Sequence, residues 1–166
     1  MYEKGEYVMY GNRGVCKVEK VGPLEMDGID SDRLFYTLKP VYIRDDRLFT
    51  PVDNDKVEIR PILSKEEALL LIDQVDDMET INFRDNAKRD DAFRKILRAG
   101  KPSDLIRMIK TLYKRGRRRM ADGKKITVGD EKFLKQAEEH LLGEMAVALD
   151  MEIGEVRDYI FEKSER

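Results

Sequence analysis

The sequence predicts an α+β chain in which a small, strongly bent β-barrel at residues 1–62 precedes an all-α helical bundle at residues 63–166. Two observations predict it. Hydrophobic residues alternate with period two up to about residue 60, then recur with the 3.6-residue period of an amphipathic helix. Turn chemistry punctuates the first part every few residues, whereas the second carries capping signals followed by long periodic runs.

The strands are short and rich in β-branched and aromatic residues. Tyr7-Val8-Met9-Tyr10 is followed by the turn Gly11-Asn12-Arg13-Gly14, and Val15 to Val21 then alternates apolar and polar residues. Leu34 to Leu38 and Arg47 to Thr50 read as the third and fourth strands, with Val57-Glu58-Ile59 as a fifth. Gly22-Pro23 and the polar run Met26 to Asp32 supply breaks between them. Five such strands in so short a segment predict closure into a barrel, which removes exposed edges.

Past Pro61, Ser64 precedes Lys65-Glu66-Glu67 and predicts a capped helix through Leu69, Leu70, Ile72 and Val75. A second helix is predicted from Asp85 to Leu97, stopping at Gly100, and Ser103 is the expected cap of a third bearing Leu105, Ile109 and Leu112. Gly116 allows that helix to end early, leaving Arg117 to Lys125 as a mobile basic loop. Thr127 opens a fourth, with Phe133, Ala137, Leu141 and Met145 at helical spacing. Asp150 is expected to begin a fifth through Val156, Ile160 and Phe161.

Composition excludes several classes. Cys16 is the sole cysteine, so no intramolecular disulfide forms, which fits a reducing compartment. No window approaches the run of about 20 apolar residues that spans a bilayer, and the opening residues lack a signal-peptide core. A soluble, cytoplasmic protein is expected. His140 is the single histidine and has no nucleophile beside it, so neither a catalytic triad nor a usual zinc shell can be assembled. Acidic pairs such as Asp76-Asp77 and Asp90-Asp91 read as solvated carboxylates. No enzyme, metal or cofactor is expected.

Charge is segregated although the chain's net charge is only -2. Residues 94–125 carry 13 basic and 2 acidic side chains, while the segments on either side are acidic. At about 100° per residue, Leu105, Ile109 and Leu112 define one face of the third helix. Arg107, Lys110, Lys114, Arg117 and Arg118 gather on the opposite side. Such a stripe is either a phosphate-contacting footprint or a solvated face paired with neighbouring acids. A rival helix–turn–helix cadence at Met145 to Val156 places Glu152, Glu155, Asp158 and Glu162 on its second helix. Net acidity suits packing better than a major groove.

Gly5 to Val21, Tyr36-Thr37-Leu38-Lys39-Pro40 and Phe49-Thr50-Pro51-Val52-Asp53-Asn54 together resemble the CarD/CdnL family of bacterial transcription regulators, whose N-terminal module also occurs in the transcription-repair coupling factor. Asp130-Glu131-Lys132, Ala137-Glu138 and Leu142 to Leu149 are similar to the family's closing helices. The resemblance implies a Tudor-like N-terminal domain that docks on the RNA polymerase β subunit by strand pairing, with Arg47, Leu48, Phe49, Thr50 and Pro51 as the matching edge. In a regular strand, one of Leu48 and Phe49 faces the core and the other faces out.

The resemblance also implies a helical domain that contacts upstream promoter DNA and modulates open-complex formation. The family's tryptophan wedge has no counterpart here, because the chain contains no tryptophan. Asn82 or Phe83 occupies the equivalent region, where Phe83 acts either as an apolar wedge or as a packing residue. With this context the basic stripe becomes a weak, backbone-directed DNA contact. The alternative from another class is a protein-interaction module whose helical domain binds another protein or structured RNA.

Overall fold

The computed structural model describes residues 1–164, with side chains through Ile160. The backbone separates into two compact units, Met1–Ile62 and the residues from Leu63 onward.

The first unit is an antiparallel sheet of β1 (Tyr7–Tyr10), β2 (Val15–Pro23), β3 (Leu34–Pro40), β4 (Leu48–Pro51) and β5 (Ile59–Pro61), in the order β4-β3-β2-β1-β5. A single 3-10 turn, Gly11–Arg13, joins β1 to β2. Gly11 is required there, because a Cβ would lie 2.7 Å from the Val57 side chain at a φ of 48°. Tyr7↔Lys17 and Met9↔Val15 fix the first hairpin. Glu19 is skipped in the β2–β3 register, between Val18↔Leu38 and Lys20↔Thr37. Such a bulge sharpens the local twist. Val8, Cys16, Val18, Tyr36 and Leu38 make the buried core of this unit.

The sheet does not close. Its outer strands, β4 and β5, each pair on one side only and not with each other, so both edges remain. The fifth strand is also displaced toward the C-terminus of its expected position, since Val57 instead covers Gly11. Burial pushes the Cys16 thiol up to about 11, so the thiol stays protonated at neutral pH. Alkylation of the native chain at pH 8 is expected to be at least about 100-fold slower than in denaturant, the thiolate being the nucleophile. A native rate within tenfold of the denatured rate, read by mass spectrometry, would contradict this burial.

The second unit contains α1 (Lys65–Asp73), α2 (Asn86–Ala99), α3 (Pro102–Ala121), α4 (Val128–Leu149) and α5 (Ile153–Ser164). Ser64 caps α1 in a reciprocal box with Glu67, as its sequence predicts. Asp85 and Thr127 cap α2 and α4 through the amides of Lys88 and Asp130. Gly100 ends α2 in the left-handed conformation. Phe93, Leu105, Met108, Ile109, Leu112, Leu141, Leu142 and Met145 are fully buried where α2, α3 and α4 meet. Buried Glu144 on α4 accepts from the Leu63 amide at 2.9 Å, satisfying a donor just before α1.

Three expected boundaries are corrected. Ser103 does not cap α3; Pro102 occupies its first turn behind Lys101, which makes no side-chain cap. Gly116 does not end α3, which continues to Ala121 and keeps Arg117, Arg118 and Arg119 helical. Asp150 does not begin α5 but terminates α4 at a φ of 53°. Val156 and Ile160 of α5 are buried, consistent with a packing helix. The side chains of Phe161, Glu162 and Lys163 lie outside the described residues.

Candidate functional site

In the sheet unit, β4 pairs only with β3 and forms one edge. Its faces follow from register. Leu38↔Leu48 and Tyr36↔Thr50 are cross-strand partners, placing Leu48 and Thr50 on the core side. Leu48 packs on the core cluster, and Thr50 is buried with its hydroxyl accepting from Asn54. Phe49, opposite Thr37, points outward and is 50% exposed. The sequence's choice between Leu48 and Phe49 is thereby resolved.

The backbone polarity of β4 follows as well. The Val52 amide donates to Leu34 O, and antiparallel pairs alternate between hydrogen-bonded and non-bonded. Positions 50 and 48 therefore bond to β3, while the N–H and C=O of position 49 face the open edge. At position 51 the outward N–H is absent because the residue is proline, and no ladder bond is lost. The Arg47 amide is taken by Asp46 Oδ1 at 2.9 Å. Phe49 thus supplies the free outward donor of this edge. Arg47 itself is anchored, with Nε 2.7 Å from Glu19 in the bulge and Nη1 on the Asp46 carbonyl. Beyond the β3 end, Val41, Tyr42 and Ile43 are exposed. Sequence reading passed over them, although three consecutive apolar residues in a connecting loop were the available signal.

In the helical unit the five stripe cations do not act alike. Lys110 Nζ donates to Val75 O at 2.8 Å and Met78 O at 2.6 Å. It satisfies carbonyls around the 3-10 turn Val75–Asp77, and this corrects its placement among outward phosphate ligands. Arg107 is half-buried and gives Nε to Glu79 O at 3.0 Å. Thr111 extends the same seam, its hydroxyl accepting from the Ile81 amide at 2.9 Å. The N-terminal half of the stripe therefore holds the connection from Val75 to Ile81 onto α3. Lys114, Arg117 and Arg118 remain exposed and have no ion-pair partner among the described residues. Arg119 turns back to the Lys125 carbonyl and closes the loop after the helix.

Phe83 is not a free wedge. Its ring is half-buried, edge-on to Phe93 with centroids 5.6 Å apart, and Phe93 meets Phe133 in the same way. Asn82 is the exposed side chain at this point.

The orientation of the free cations depends on a group whose role its sequence position disguised. Asp130 is 1% exposed; one oxygen lies 2.9 Å from Arg89 Nη2 and the other 2.7 Å from Arg115 Nε. Arg89 is also buried, lies over the Phe93 ring and contacts Asp90. One carboxylate thus ties α2 and α3 to the first turn of α4. Arg115 is thereby drawn inward on α3, whereas Lys114, Arg117 and Arg118 are exposed. In sequence, Asp130 reads as an ordinary first-turn acid. Only the meeting of three helices makes it the hub.

His140 is half-buried on α4, and no group of three or more metal-ligating side chains comes together among the described residues. Tyr113 donates to Glu138, which also pairs with Arg157. Burial, with that bond second, pushes the Tyr113 phenol well above its ordinary value. No described helix is long and apolar enough to cross a membrane.

Residues 2–63 match the family model of the CarD-like/TRCF RID domain. No curated protein matches the chain. The match covers the sheet unit, which is therefore a CarD-like/TRCF RID module, and stops at the start of the helical unit.

Proposed function

We propose that this chain, carrying a CarD-like/TRCF RID module at residues 2–63, is a noncatalytic transcription factor that docks on the RNA polymerase β subunit and steadies upstream promoter DNA to modulate open-complex formation. The observation that carries the reading is the β4 edge. An exposed phenyl ring and an unpaired backbone donor and acceptor coincide at Phe49, the combination that strand addition uses. Backbone bonds provide affinity there, and the ring provides selectivity.

Lys114, Arg117 and Arg118 are the DNA-contacting set in this reading, with exposed Asn82 as a polar neighbour in sequence to the packed Phe83. Three cations on one helix end give backbone contacts without base readout. Weak affinity suffices, because a chain already bound to polymerase meets the promoter at a high effective concentration.

The test is an initiation assay with Arg117→Glu and Arg118→Glu combined. The double variant is expected to bind polymerase normally while its effect on open-complex formation falls at least about fivefold. Its DNA affinity should lose about two units of log–log salt slope, one for each phosphate contact. An unchanged promoter response with unchanged salt slope would remove the DNA contact. A wild-type chain that bound structured RNA or another protein, and left initiation untouched, would replace the proposal with an interaction module.

A further inference from the structure

Beside the free cations of α3 the helical unit contains a cavity of about 440 Å³. Val75, Ile106, Ile109, Leu141 and Ile160 contribute its apolar wall, each no more than 3% exposed. Lys114 and Arg117 also line it, exposed and with no ion-pair partner among the described residues. No acidic side chain lines it among the described residues. Of the other polar lining groups, Lys110 is engaged with backbone carbonyls and Tyr113 with Glu138, and Thr80 adds a hydroxyl.

We infer that this cavity binds a small amphipathic carboxylate, its acyl or aryl body against the isoleucine and leucine wall and its carboxylate on Lys114 and Arg117. The size falls within the range of about 300–1,000 Å³ typical of small-molecule sites, which pair an apolar lining with a few placed polar groups. An apolar body restores dispersion contacts that the walls of a void lack. A single carboxylate matches the guanidinium fork of Arg117 and the point charge of Lys114. A nucleotide fits less well, since its ribose and phosphates would bury polar groups against aliphatic carbon. Duplex DNA is too large to enter, so this ligand is distinct from the one proposed for the outer surface.

The site has a consequence for that outer surface. A bound carboxylate occupies two of the three cations proposed for DNA and cancels one of their charges, so it acts as an antagonist of backbone contact. The ligand site stands without the proposed DNA contact; only the antagonism rests on it.

The experiment is a titration of the nitrogen-15-labelled full chain with decanoate, followed by amide chemical shifts, with acetate as the control. Saturable shifts are expected around residues 75–80, 106–117 and 141, with a Kd below about 1 mM, and acetate should produce none. Lys114→Glu with Arg117→Glu should weaken binding at least about tenfold by replacing attraction with repulsion. A second pair, Lys114→Gln with Arg117→Gln, should give a smaller loss in the same direction and serves if the first unfolds. Absence of saturable shifts would overturn the proposal, as would shifts centred on the exposed apolar residues of the sheet unit or folded variants that bind decanoate as tightly as wild type. None of these readouts involves DNA or polymerase, so failure here is separable from failure of the proposed function.

Discussion

Asp130→Ala is expected to destabilise the helical unit by about 3–5 kcal/mol, the usual cost of removing one partner from a buried ion pair. The mechanism is asymmetric. Asp130 is almost fully out of water, hydrogen-bonded to Arg89 and ion-paired with Arg115, so its loss leaves Arg89, 10% exposed, with only the more open Asp90. Arg115 loses its 2.7 Å partner and turns toward solvent. Asp130→Asn should cost less, since the amide keeps the volume and one acceptor but not the charge. Urea denaturation followed by helical circular dichroism measures both. A loss under about 1 kcal/mol for the alanine variant would show that water and Asp90 compensate the two arginines. Where the variant stays folded, the proposed promoter effect should also fall, because the hub holds α3, which carries Lys114, Arg117 and Arg118, against α2 and α4.

Phe49→Asp should lower affinity for the polymerase β-subunit lobe at least about 30-fold, the size expected of a central aromatic hot spot. The substitution removes the outward ring and sets a desolvation cost at the one edge position with a free donor, yet it disturbs no core contact, since Leu48 and Thr50 provide those. Titration calorimetry of the full chain into the isolated lobe reads it directly. Arg47→Glu is a useful companion. Its effect should include local loosening, because the new carboxylate would face Glu19 across the bulge where the guanidinium now lies 2.7 Å away. Equal affinities for wild type and Phe49→Asp would move the dock off β4, and the exposed Val41-Tyr42-Ile43 loop would be the next surface to test.

Which expectations survived depends on the range of the interactions behind them. Ser64 as a cap, and Asp85, Gly100 and Thr127 as helix limits, were legible because a cap is a contact between residues three or four apart. Ser103 and Asp150 misled for the same local reason: each is a competent cap in isolation, but Pro102 had already begun one helix and the left-handed turn at Asp150 ended another. Gly116 carries an intrinsic helix penalty of about 1 kcal/mol, which packing on either side of it overrode. The stripe on α3 was correct as a helical projection. A projection cannot show that the chain from Val75 to Ile81 crosses that face and occupies Lys110.

By itself the sequence determined the two-part order of strands and helices, the segregation of positive charge into residues 94–125, and the resemblance of the first part to a polymerase-interacting module. These rest on periodicity, composition and local order, all written along the chain. Tertiary structure alone decided that the sheet stays open, that Phe49 and not Leu48 faces out, and that Phe83 packs against Phe93. It also decided that Asp130 binds two arginines 41 and 15 positions away. Strand pairing, register and the convergence of three helices set those outcomes, and each is a relation between residues that the chain order keeps apart.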